Sequence, residues 1–308
     1  MITVAALSPS LDLTYLVDTL TVGHIHRTAE PIAVAGGKAL NMVRAARTMG
    51  AACLAVALLG GPTGRQIAEL LVGEGLDLVP VESGVNTRTC VSIGSTGTGE
   101  LTELYAEAAP VDAAALPALI AAVDDVLPDR PGWLSMSGRT PGGGAHAVAR
   151  LVDLAHQHGV RVAVDTHSEA LPAAVAHRPD LIKINRAEAA QLLDQPADSD
   201  LVEMASMISA RSGGLVVLTD GPHGAVAVTG TAALRAHGSD RRGSFPVGSG
   251  DAFLGGLVAA LDTDVDLDRA LAQAMGCAVA NAMAPGQGRF DRALADQFAA
   301  EMTIDAIS

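Results

Sequence analysis

The hydrophobic positions of the chain fall into short continuous runs of Val, Ile, Leu and Ala, separated by Ala-rich stretches with helical spacing. Continuous apolar runs are typical of strands that are covered on both faces. Strands are predicted at residues 2–7, 53–60, 133–138, 161–166, 181–185, 215–220 and 225–230. Helices are predicted at 40–50, 63–72, 145–158, 186–193, 201–211, 252–261, 267–283 and 292–302. This alternation predicts an α/β fold with a mostly parallel, doubly wound central sheet.

Two stretches depart from this pattern, residues 12–35 and 85–106. Both alternate Thr and Val and contain turn glycines, which predicts antiparallel strands. We expect them to form a small β-sheet attached to the α/β core, where it would act as a lid. No internal repeat or low-complexity linker interrupts the chain, so residues 1–308 are predicted to form a single domain.

Composition and charge narrow the class of protein. With 308 residues, 49% of them hydrophobic, the chain can bury a large core, and its net charge of −14 argues against binding to nucleic acid. The three cysteines have no metal-ligand spacing, and their odd number argues against a disulfide framework. No signal peptide is recognisable, and no apolar run reaches the roughly 18 residues of a membrane span. These features predict a cytoplasmic protein without a membrane partner.

The segment FPVGSGDAFLGGLVAAL (245–261) carries the strongest local signal. The turn Gly248-Ser249-Gly250 precedes Asp251 and a helix, whose unpaired N–H groups would favour an anion. A carboxylate at this position can take a proton from an alcohol while the N–H groups hold a phosphoryl group. Asp251 fits equally well as an ordinary helix cap, and this segment alone does not separate the two readings.

A second glycine-containing segment, AGGKALN (35–41), also precedes a helix. Gly37 would allow close approach of a ligand to the backbone, and Lys38 provides a point charge suited to phosphate. Asn41 could bond a sugar hydroxyl. The alternative is an ordinary glycine turn with a solvated lysine and a capping asparagine.

The segment KINRAEAA (183–190) places Asn185 and Glu188 three residues apart at a helix start. Their oxygen atoms suit Mg²⁺, often through water, but the same pair also fits a capping box. The segment LTDGPHGAVAV (218–228) predicts two strands joined by a turn, along which a nucleotide could lie.

Basic residues are scarce, with 20 Lys and Arg in the whole chain. Arg27, Lys38, Arg88 and Arg139 all fall in or next to the candidate lid or the loops expected to face a substrate. An arginine fork binds phosphate through two parallel hydrogen bonds. Any one of these residues alone would be an ordinary solvated charge, but together they predict a local cationic pocket on an acidic protein.

Taken in chain order, these segments resemble the PfkB (ribokinase-like) carbohydrate kinase family over nearly the whole chain. The similar motifs are AGGKALN, NTRT, SGRTP, KINRAE, TDGPHGA and PVGSGDAF. The opening SPSLDLTYLVDTLTVGHIHR resembles that of the sugar-phosphate branch, which includes 1-phosphofructokinase and tagatose-6-phosphate kinase. The resemblance implies a ribokinase-like three-layer α/β/α fold with a small β-sheet lid, and it implies ATP and Mg²⁺ as cofactors.

The resemblance also implies a role for each matching residue. Asp251 is implied as the catalytic base, with Gly248, Ser249 and Gly250 as the anion hole. The implied sugar-phosphate contacts are Asp12, Arg27, Gly37, Lys38, Asn41, Arg88, Ser137 and Arg139. The implied nucleotide contacts are Lys183, Asn185, Thr219, Gly221, Gly224 and Asn281, and the implied Mg²⁺ ligands are Asn185 and Glu188.

Some positions depart from the family pattern. Ala39 replaces a usual glycine, Asp220 stands where glycine is common, and His167 with Ser168 replaces the usual residues after Asp165. The motif around Asp251 is intact. The departures therefore bear on the identity of the substrate more than on the type of reaction.

The expected reaction is in-line transfer of the ATP γ-phosphoryl group to a hydroxyl of a ketohexose phosphate, with Asp251 as general base. Exposed edges of the lid strands also favour a homodimer formed through the lid. One rival is a kinase for an unphosphorylated sugar or nucleoside, which would not need the whole cationic group. The other rival is a catalytically silent sugar-phosphate sensor, which the departures motivate.

Overall fold

A computed structural model describes residues 1–230 and 232–307. Its strands are β1 (Ile2–Ala6), β2 (Ser10–Val17), β3 (Ile32–Gly36), β4 (Cys53–Leu59), β5 (Asp77–Glu82), β6 (Thr89–Ser95), β7 (Glu100–Tyr105), β8 (Trp133–Ser137), β9 (Arg161–Asp165), β10 (Leu181–Asn185), β11 (Leu215–Thr219), β12 (Gly224–Thr229), β13 (Ala232–His237) and β14 (Ile304–Ile307). Its α-helices are α1 (Lys38–Thr48), α2 (Gly61–Gly73), α3 (Ala115–Val126), α4 (Gly144–Gln157), α5 (Ala170–Ala176), α6 (Arg186–Leu193), α7 (Leu201–Ser212), α8 (Ser249–Leu261), α9 (Leu267–Ala282) and α10 (Arg292–Ala300). Within these described ranges, no helix combines the length and the apolar character needed to cross a membrane.

Ten strands form the central sheet, in the order β14-β13-β12-β11-β10-β9-β8-β1-β4-β5. The seven strands from β11 to β5 in this order are parallel. Strands β12, β13 and β14 extend the sheet in antiparallel fashion. The predicted mostly parallel sheet is therefore confirmed, and the predicted hairpin of residues 218–228 is the β11–β12 pair.

Helices cover both faces of the central sheet. Successive side chains of a strand point to opposite faces, so Ile2 and Val4 of β1 pack with α1, α8 and α9, whereas Ala5 packs with α3 and α4. A third apolar cluster joins α5, α6 and α7 to β10, β11 and β12. This layering confirms the three-layer α/β/α architecture and explains why the central strands are apolar without alternation.

Several elements were not predicted from the sequence, namely β5, β13, β14, α3 and α5. Strand β5 lies at one edge of the sheet and β14 at the other, and both expose side chains to solvent. Edge strands therefore lack the continuous apolar run that identified the central strands. Helices α3 and α5 each carry a proline in the first turn, Pro117 and Pro172. Proline is compatible with a first turn, although in a sequence it suggests a break.

The predicted small sheet is present and consists of β2, β3, β6 and β7, in the order β3-β2-β6-β7; we call it the lid sheet. The pairs β2–β3 and β6–β7 are antiparallel, as predicted. The central pair β2–β6 is parallel, which corrects the prediction of antiparallel strands throughout. Strands β1 and β5 run parallel in the central sheet and end at the same edge. Strands β2 and β6, which follow them in the chain, therefore leave that edge in the same direction.

Candidate active site

A polar cavity of about 370 Å³ opens at the carboxyl ends of the parallel strands, beside the lid sheet. Ligand sites of open α/β sheets lie at this edge. Twelve of the predicted site residues line the polar cavity: Asp12, Gly37, Lys38, Asn41, Arg88, Arg139, Lys183, Asn185, Thr219, Gly248, Gly250 and Asp251. Residues that are far apart in the sequence are thus brought together around one space.

Asp251 lies in the first turn of α8 and is buried, with 6% of its surface exposed. Its Oδ2 accepts a hydrogen bond of 2.9 Å from Nδ2 of Asn41. Burial raises the pKa of Asp251 to about 7, which the charge of Lys38 and the bond from Asn41 partly oppose. A carboxylate in this range is well suited to exchange a proton near neutral pH.

Two lysines hold a second buried carboxylate, Asp165, at the end of β9. Nζ of Lys183 donates to Oδ2 of Asp165 at 2.7 Å, and Nζ of Lys38 donates to Oδ1 at 3.1 Å. Burial opposes ionisation of Asp165, but the two ammonium groups outweigh it and lower its pKa to about 2. The negative charge of Asp165 in turn raises the pKa of Lys38. Asp165 is therefore ionised at neutral pH, and Lys38, Asp165 and Lys183 fix one another in the floor of the cavity.

Asp12 places a further carboxylate on the lid side of the polar cavity. Its Oδ1 accepts a 2.6 Å hydrogen bond from Oγ of Ser10, and burial raises its pKa. A side chain at Gly36 would lie only 2.0 Å from Oδ2 of Asp12, so the carboxylate needs glycine on the neighbouring strand. Asp12 is thereby held at the wall of the polar cavity.

The glycine turn before α8 leaves backbone donors at the cavity. Gly248 has a φ of 82°, a left-handed conformation that favours glycine. Ser249 donates its N–H to the carbonyl of Pro246, and the first intrahelical bond runs from Ala252 to Gly248. Among the described residues, the N–H groups of Gly250 and Asp251 have no such acceptor, and a helix start of this kind binds anions.

Asn281 is not among the described residues that line the polar cavity. It is buried, and its Nδ2 donates to the carbonyl of Val247 at 2.8 Å while its Oδ1 accepts from the N–H of Gly288 at 2.8 Å. These bonds use both ends of the amide inside the protein. Asn281 thereby supports the turn before α8 from behind, and its contact with the nucleotide stays a prediction.

A second, apolar cavity of about 450 Å³ adjoins the polar cavity, and the two share Thr219 and Gly250. The predicted nucleotide residues Gly221 and Gly224 line it, as does Ser249. Apolar side chains form much of its wall, with Phe253, Met275, Ala278, Val279 and Ala282 among them. Such a wall can hold a planar base, while the shared end faces the start of α8.

Asn185 and Glu188 form the capping box of α6. Oδ1 of Asn185 accepts from the N–H of Glu188, and Oε2 of Glu188 accepts from the N–H of Asn185, each at 2.9 Å. Oε1 of Glu188 lies 3.8 Å from Nζ of Lys38. No group of three or more His, Cys, Asp or Glu side chains within residues 1–230 and 232–307 is arranged to hold a metal ion. These residues fit an Mg²⁺ held mainly by phosphate and water, with Glu188 as its neighbour.

The predicted cationic residues divide into two groups. Lys38, Arg88 and Arg139 line the polar cavity, where Arg88 is anchored through its Nη1, which donates to the carbonyl of Ala106. Arg27 is exposed in the segment between β2 and β3, outside both cavities. Ser137 is also outside them; it is buried, and its Oγ has no partner in the described part of the chain.

The sequence matches the profile of the pfkB family carbohydrate kinases over residues 6–291. The chain belongs to this family. It is therefore an ATP-dependent carbohydrate kinase. The match covers the glycine turn, Asp251 and every strand that contributes to the polar cavity.

Two relatives illustrate how far the similarity to this kinase extends. A 1-phosphofructokinase of Rhodobacter capsulatus is 32% identical over 269 residues, which is 86% of this chain and 85% of the relative. The crystal structure of phosphofructokinase-2 from Escherichia coli superposes with a TM-score of 0.89 at 24% identity, covering 97% of this chain and 98% of that one. The second comparison establishes a shared fold.

Several residues of the kinase site were missed by the sequence analysis. Asp165 is the central one: it is an acidic residue at the end of a buried apolar strand, and it was mentioned in the family comparison but not chosen as a site residue. Ser10 and Tyr105 also line the polar cavity, and Arg241 and Arg242 line the apolar one. These side chains come from loops and lid strands whose position depends on the fold, so no local pattern indicated them.

The departures from the family pattern leave the machinery of the kinase in place. Ala39 is buried in α1, with 4% of its surface exposed. The carboxylate of Asp220 accepts two hydrogen bonds from Arg186, at 2.9 and 3.0 Å, so its charge is compensated. His167 lines the polar cavity, and burial together with the charge of Lys38 lowers its pKa. Of the three, His167 is the one that lines the polar cavity.

Replacement of Asp165 with Asn should lower the free energy of unfolding by about 3 to 5 kcal/mol, because it leaves two lysines without their buried counter-ion. Because the folded state lowers the pKa of Asp165, its stabilising contribution is present above the ordinary carboxyl pKa and is lost as the pH falls through about 2. Urea unfolding at pH 7 measures the difference between variant and wild type.

The matched control is Asp153→Asn, which removes a half-exposed carboxylate paired with His177. It should change the free energy of unfolding by less than about 0.5 kcal/mol. Equal and small effects for the two variants would show that the Lys38–Asp165–Lys183 group does not stabilise the fold.

Proposed function

We propose that this kinase phosphorylates a hydroxyl of a ketohexose phosphate and that Asp251 is its general base. The observation that carries the proposal is the position of Asp251, a buried carboxylate with a pKa raised to about 7, at the helix start where the polar and apolar cavities meet. A donor nucleotide in the apolar cavity and an acceptor sugar in the polar one would bring their reacting atoms to this point.

In the proposed mechanism, the ionised carboxylate of Asp251 accepts the proton of the acceptor hydroxyl as that oxygen attacks the γ-phosphorus of ATP. The bond between the γ-phosphorus and the bridging oxygen breaks, and ADP leaves. The N–H groups of Gly250 and Asp251 stabilise the charge on the transferring phosphoryl oxygens, and Lys38 adds a positive charge nearby. Mg²⁺, when bound, supplies charge neutralisation on the nucleotide phosphates, and Glu188 with Asn185 would hold it through water.

The choice of a phosphorylated acceptor rests on the charges of the polar cavity. Lys38, Arg88 and Arg139 line a single cavity in a protein whose net charge is −14. A neutral sugar would not need three cations, whereas a phosphate group would be bound by them. The 1-phosphofructokinase of Rhodobacter capsulatus, with its 32% identity, supports the same substrate class.

We also propose that the kinase forms a homodimer through its lid sheet. Of the seven exposed large hydrophobic side chains among the described residues, five belong to the lid sheet or the loop between β2 and β3: Leu16, Val22, Ile25, Leu104 and Tyr105. Clustered exposed apolar side chains mark protein interfaces. Strand β7 in addition has a free edge that a second subunit can cover.

Replacement of Asp251 with Asn should lower kcat by about 10² to 10⁴, because the amide cannot accept the proton, while the affinity for ATP is retained. In the wild type, kcat/KM for the sugar should fall about tenfold per pH unit below about pH 7, since Asp251 must be ionised to act and its pKa is raised to about 7. Coupled ADP-release assays across pH 5.5 to 9 measure both effects.

Asp264→Asn serves as the control, since this exposed carboxylate lies beyond the far end of α8. Its kcat and pH profile should match those of the wild type. Near-normal turnover of the Asp251 variant would rule out Asp251 as the base.

Replacement of Arg139 with Met should raise KM for the ketohexose phosphate by about 10- to 100-fold, because a charged hydrogen bond to phosphate is lost, with little change in KM for ATP. The assay compares fructose 1-phosphate, tagatose 6-phosphate and the free sugars. Arg150→Met, which removes an exposed arginine of α4, is the control. Preference for free sugars would favour the unphosphorylated substrate class, and thermal stabilisation by a sugar phosphate without ADP release would favour a sensor.

Introduction of glutamate at Val22 and Leu104 together should convert the dimer to a monomer of 31.1 kDa, because two charges would be buried in the lid interface. Sedimentation velocity gives the mass of each variant. Val72→Glu changes an exposed apolar residue of α2 and should leave the dimer intact. A wild-type protein that sediments as a monomer would refute the proposed dimer.

A further inference from the structure

Arg44 is a buried arginine that the proposed mechanism does not use. It lies in α1 with 6% of its surface exposed, one turn after Asn41. A buried charge that lacks compensation is costly, so a guanidinium in this position requires a full set of acceptors. The surroundings of Arg44 supply them, and they lead to the candidate base.

Glu74 provides the counter-charge for Arg44. Nε of Arg44 donates to Oε2 of Glu74 at 2.7 Å, and Glu74 also accepts a hydrogen bond from Arg289. Burial opposes ionisation of Glu74, but the charge and the hydrogen bond of Arg44 outweigh it and hold its pKa below the ordinary value. The ion pair fixes one side of the guanidinium at the end of α2.

Backbone carbonyls fix the other side of the guanidinium. Nη2 of Arg44 donates to the carbonyl of Ala35 at 2.7 Å, and Nη1 donates to the carbonyl of Gln287 at 3.2 Å. Ala35 belongs to the lid strand β3, and Gln287 belongs to the loop after α9 whose next residue, Gly288, is bound by Asn281. The guanidinium is therefore held from three separate segments of the chain.

The same Nη1 faces Oδ1 of Asn41 at 3.4 Å, and Nδ2 of Asn41 donates to Oδ2 of Asp251 at 2.9 Å. A guanidinium can only donate hydrogen bonds, so the end of the amide that faces it must be the oxygen. The amide nitrogen is then directed at Asp251. A rotated amide would instead place its two N–H groups against the guanidinium and its oxygen against the carboxylate.

The orientation of Asn41 determines which protonation state of Asp251 it favours. With the nitrogen toward Asp251, the amide donates to the ionised carboxylate, and this bond lowers the pKa of Asp251 against the effect of burial. With the oxygen toward Asp251, the amide would accept a hydrogen bond from the protonated carboxyl and raise that pKa. The other charged groups that face Asp251 are Lys38 from α1, Asp165 from β9 and Lys183 from β10.

We propose that Arg44 is a positioning residue for the general base, which it keeps ionised by fixing the amide of Asn41 with the nitrogen toward Asp251. The inference rests on the proposed role of Asp251. Arg44 itself does not line either cavity among the described residues, so it acts on the reaction through Asn41.

Replacement of Arg44 with Lys tests this role, because an ammonium can keep the ion pair with Glu74 but lacks the fork that also reaches Asn41. We expect the acidic limb of kcat/KM for the sugar phosphate to move upward by about one pH unit, which is roughly a tenfold loss of activity below the limb. KM for ATP should not change. A purely structural role would lower Tm in the variant and leave the limb where it is, and that result would overturn the proposal.

The variant Asn41→Leu tests whether Arg44 acts on Asp251 through the amide of Asn41. In this background, Arg44→Lys should produce no further shift of the acidic limb, because the amide that Arg44 orients is gone. A further shift of the same size would overturn the proposal. Arg47→Lys is the matched control: Arg47 is exposed in the same helix and donates to the carbonyl of Gly75, and its replacement should leave the profile unchanged.

If Arg44→Lys does not fold cooperatively, Arg44→Met combined with Glu74→Met replaces it, since a buried ion pair can be exchanged for apolar side chains of similar size. The same upward shift of the acidic limb is expected.

Asp251→Asn, measured in parallel, separates this inference from the proposed function. Near-normal turnover of that variant would overturn the base assignment and the role of Arg44 with it. An inactive Asp251→Asn with an unmoved limb in the Arg44 variant would overturn only the positioning role.

Discussion

Asp165 compensates the charges of Lys38 and Lys183 in the floor of the polar cavity, where it is buried between their ammonium groups. The two lysines lower the pKa of Asp165 to about 2, so this carboxylate of the polar cavity is ionised at neutral pH. Asp251 receives less compensation, and burial therefore raises its pKa to about 7. Two acidic residues within one site thus have widely separated pKa values, which is the arrangement expected when one is structural and the other exchanges protons.

The second constraint concerns the backbone before α8. Among the described residues, the N–H groups of Gly250 and Asp251 have no backbone acceptor, and the turn at Gly248 is supported by side chains behind it. Asn281 supplies this support by binding Val247 and Gly288 at once. Arg44 binds the carbonyl of Gln287 in the same loop and also contacts Asn41. The glycine turn before α8 and the candidate base are therefore held by one buried polar network.

The strands of the central sheet that were predicted from the sequence are those that helices cover on both faces. Strands β1, β4, β8, β9, β10 and β11 are continuous apolar runs because helices cover them above and below. Strands β5 and β14 were missed because an edge strand is partly solvated and needs no such run. The parallel pairing of β2 with β6 has no local signature either, because it follows from the shared direction of the strands that precede them.

By itself, the sequence determined the fold class, the family resemblance and the turn with Asp251, because each of these is encoded in a contiguous stretch of residues. Only the tertiary structure decided which polar groups compensate one another. Lys38 and Asp165 are 127 residues apart, and Asn41 and Asp251 are 210 apart. Pairings over such distances depend on the order of strands in the sheet and on the close packing of α1 against α8. The roles of Asp165, Asn281 and Arg44 therefore could not be inferred from any local pattern.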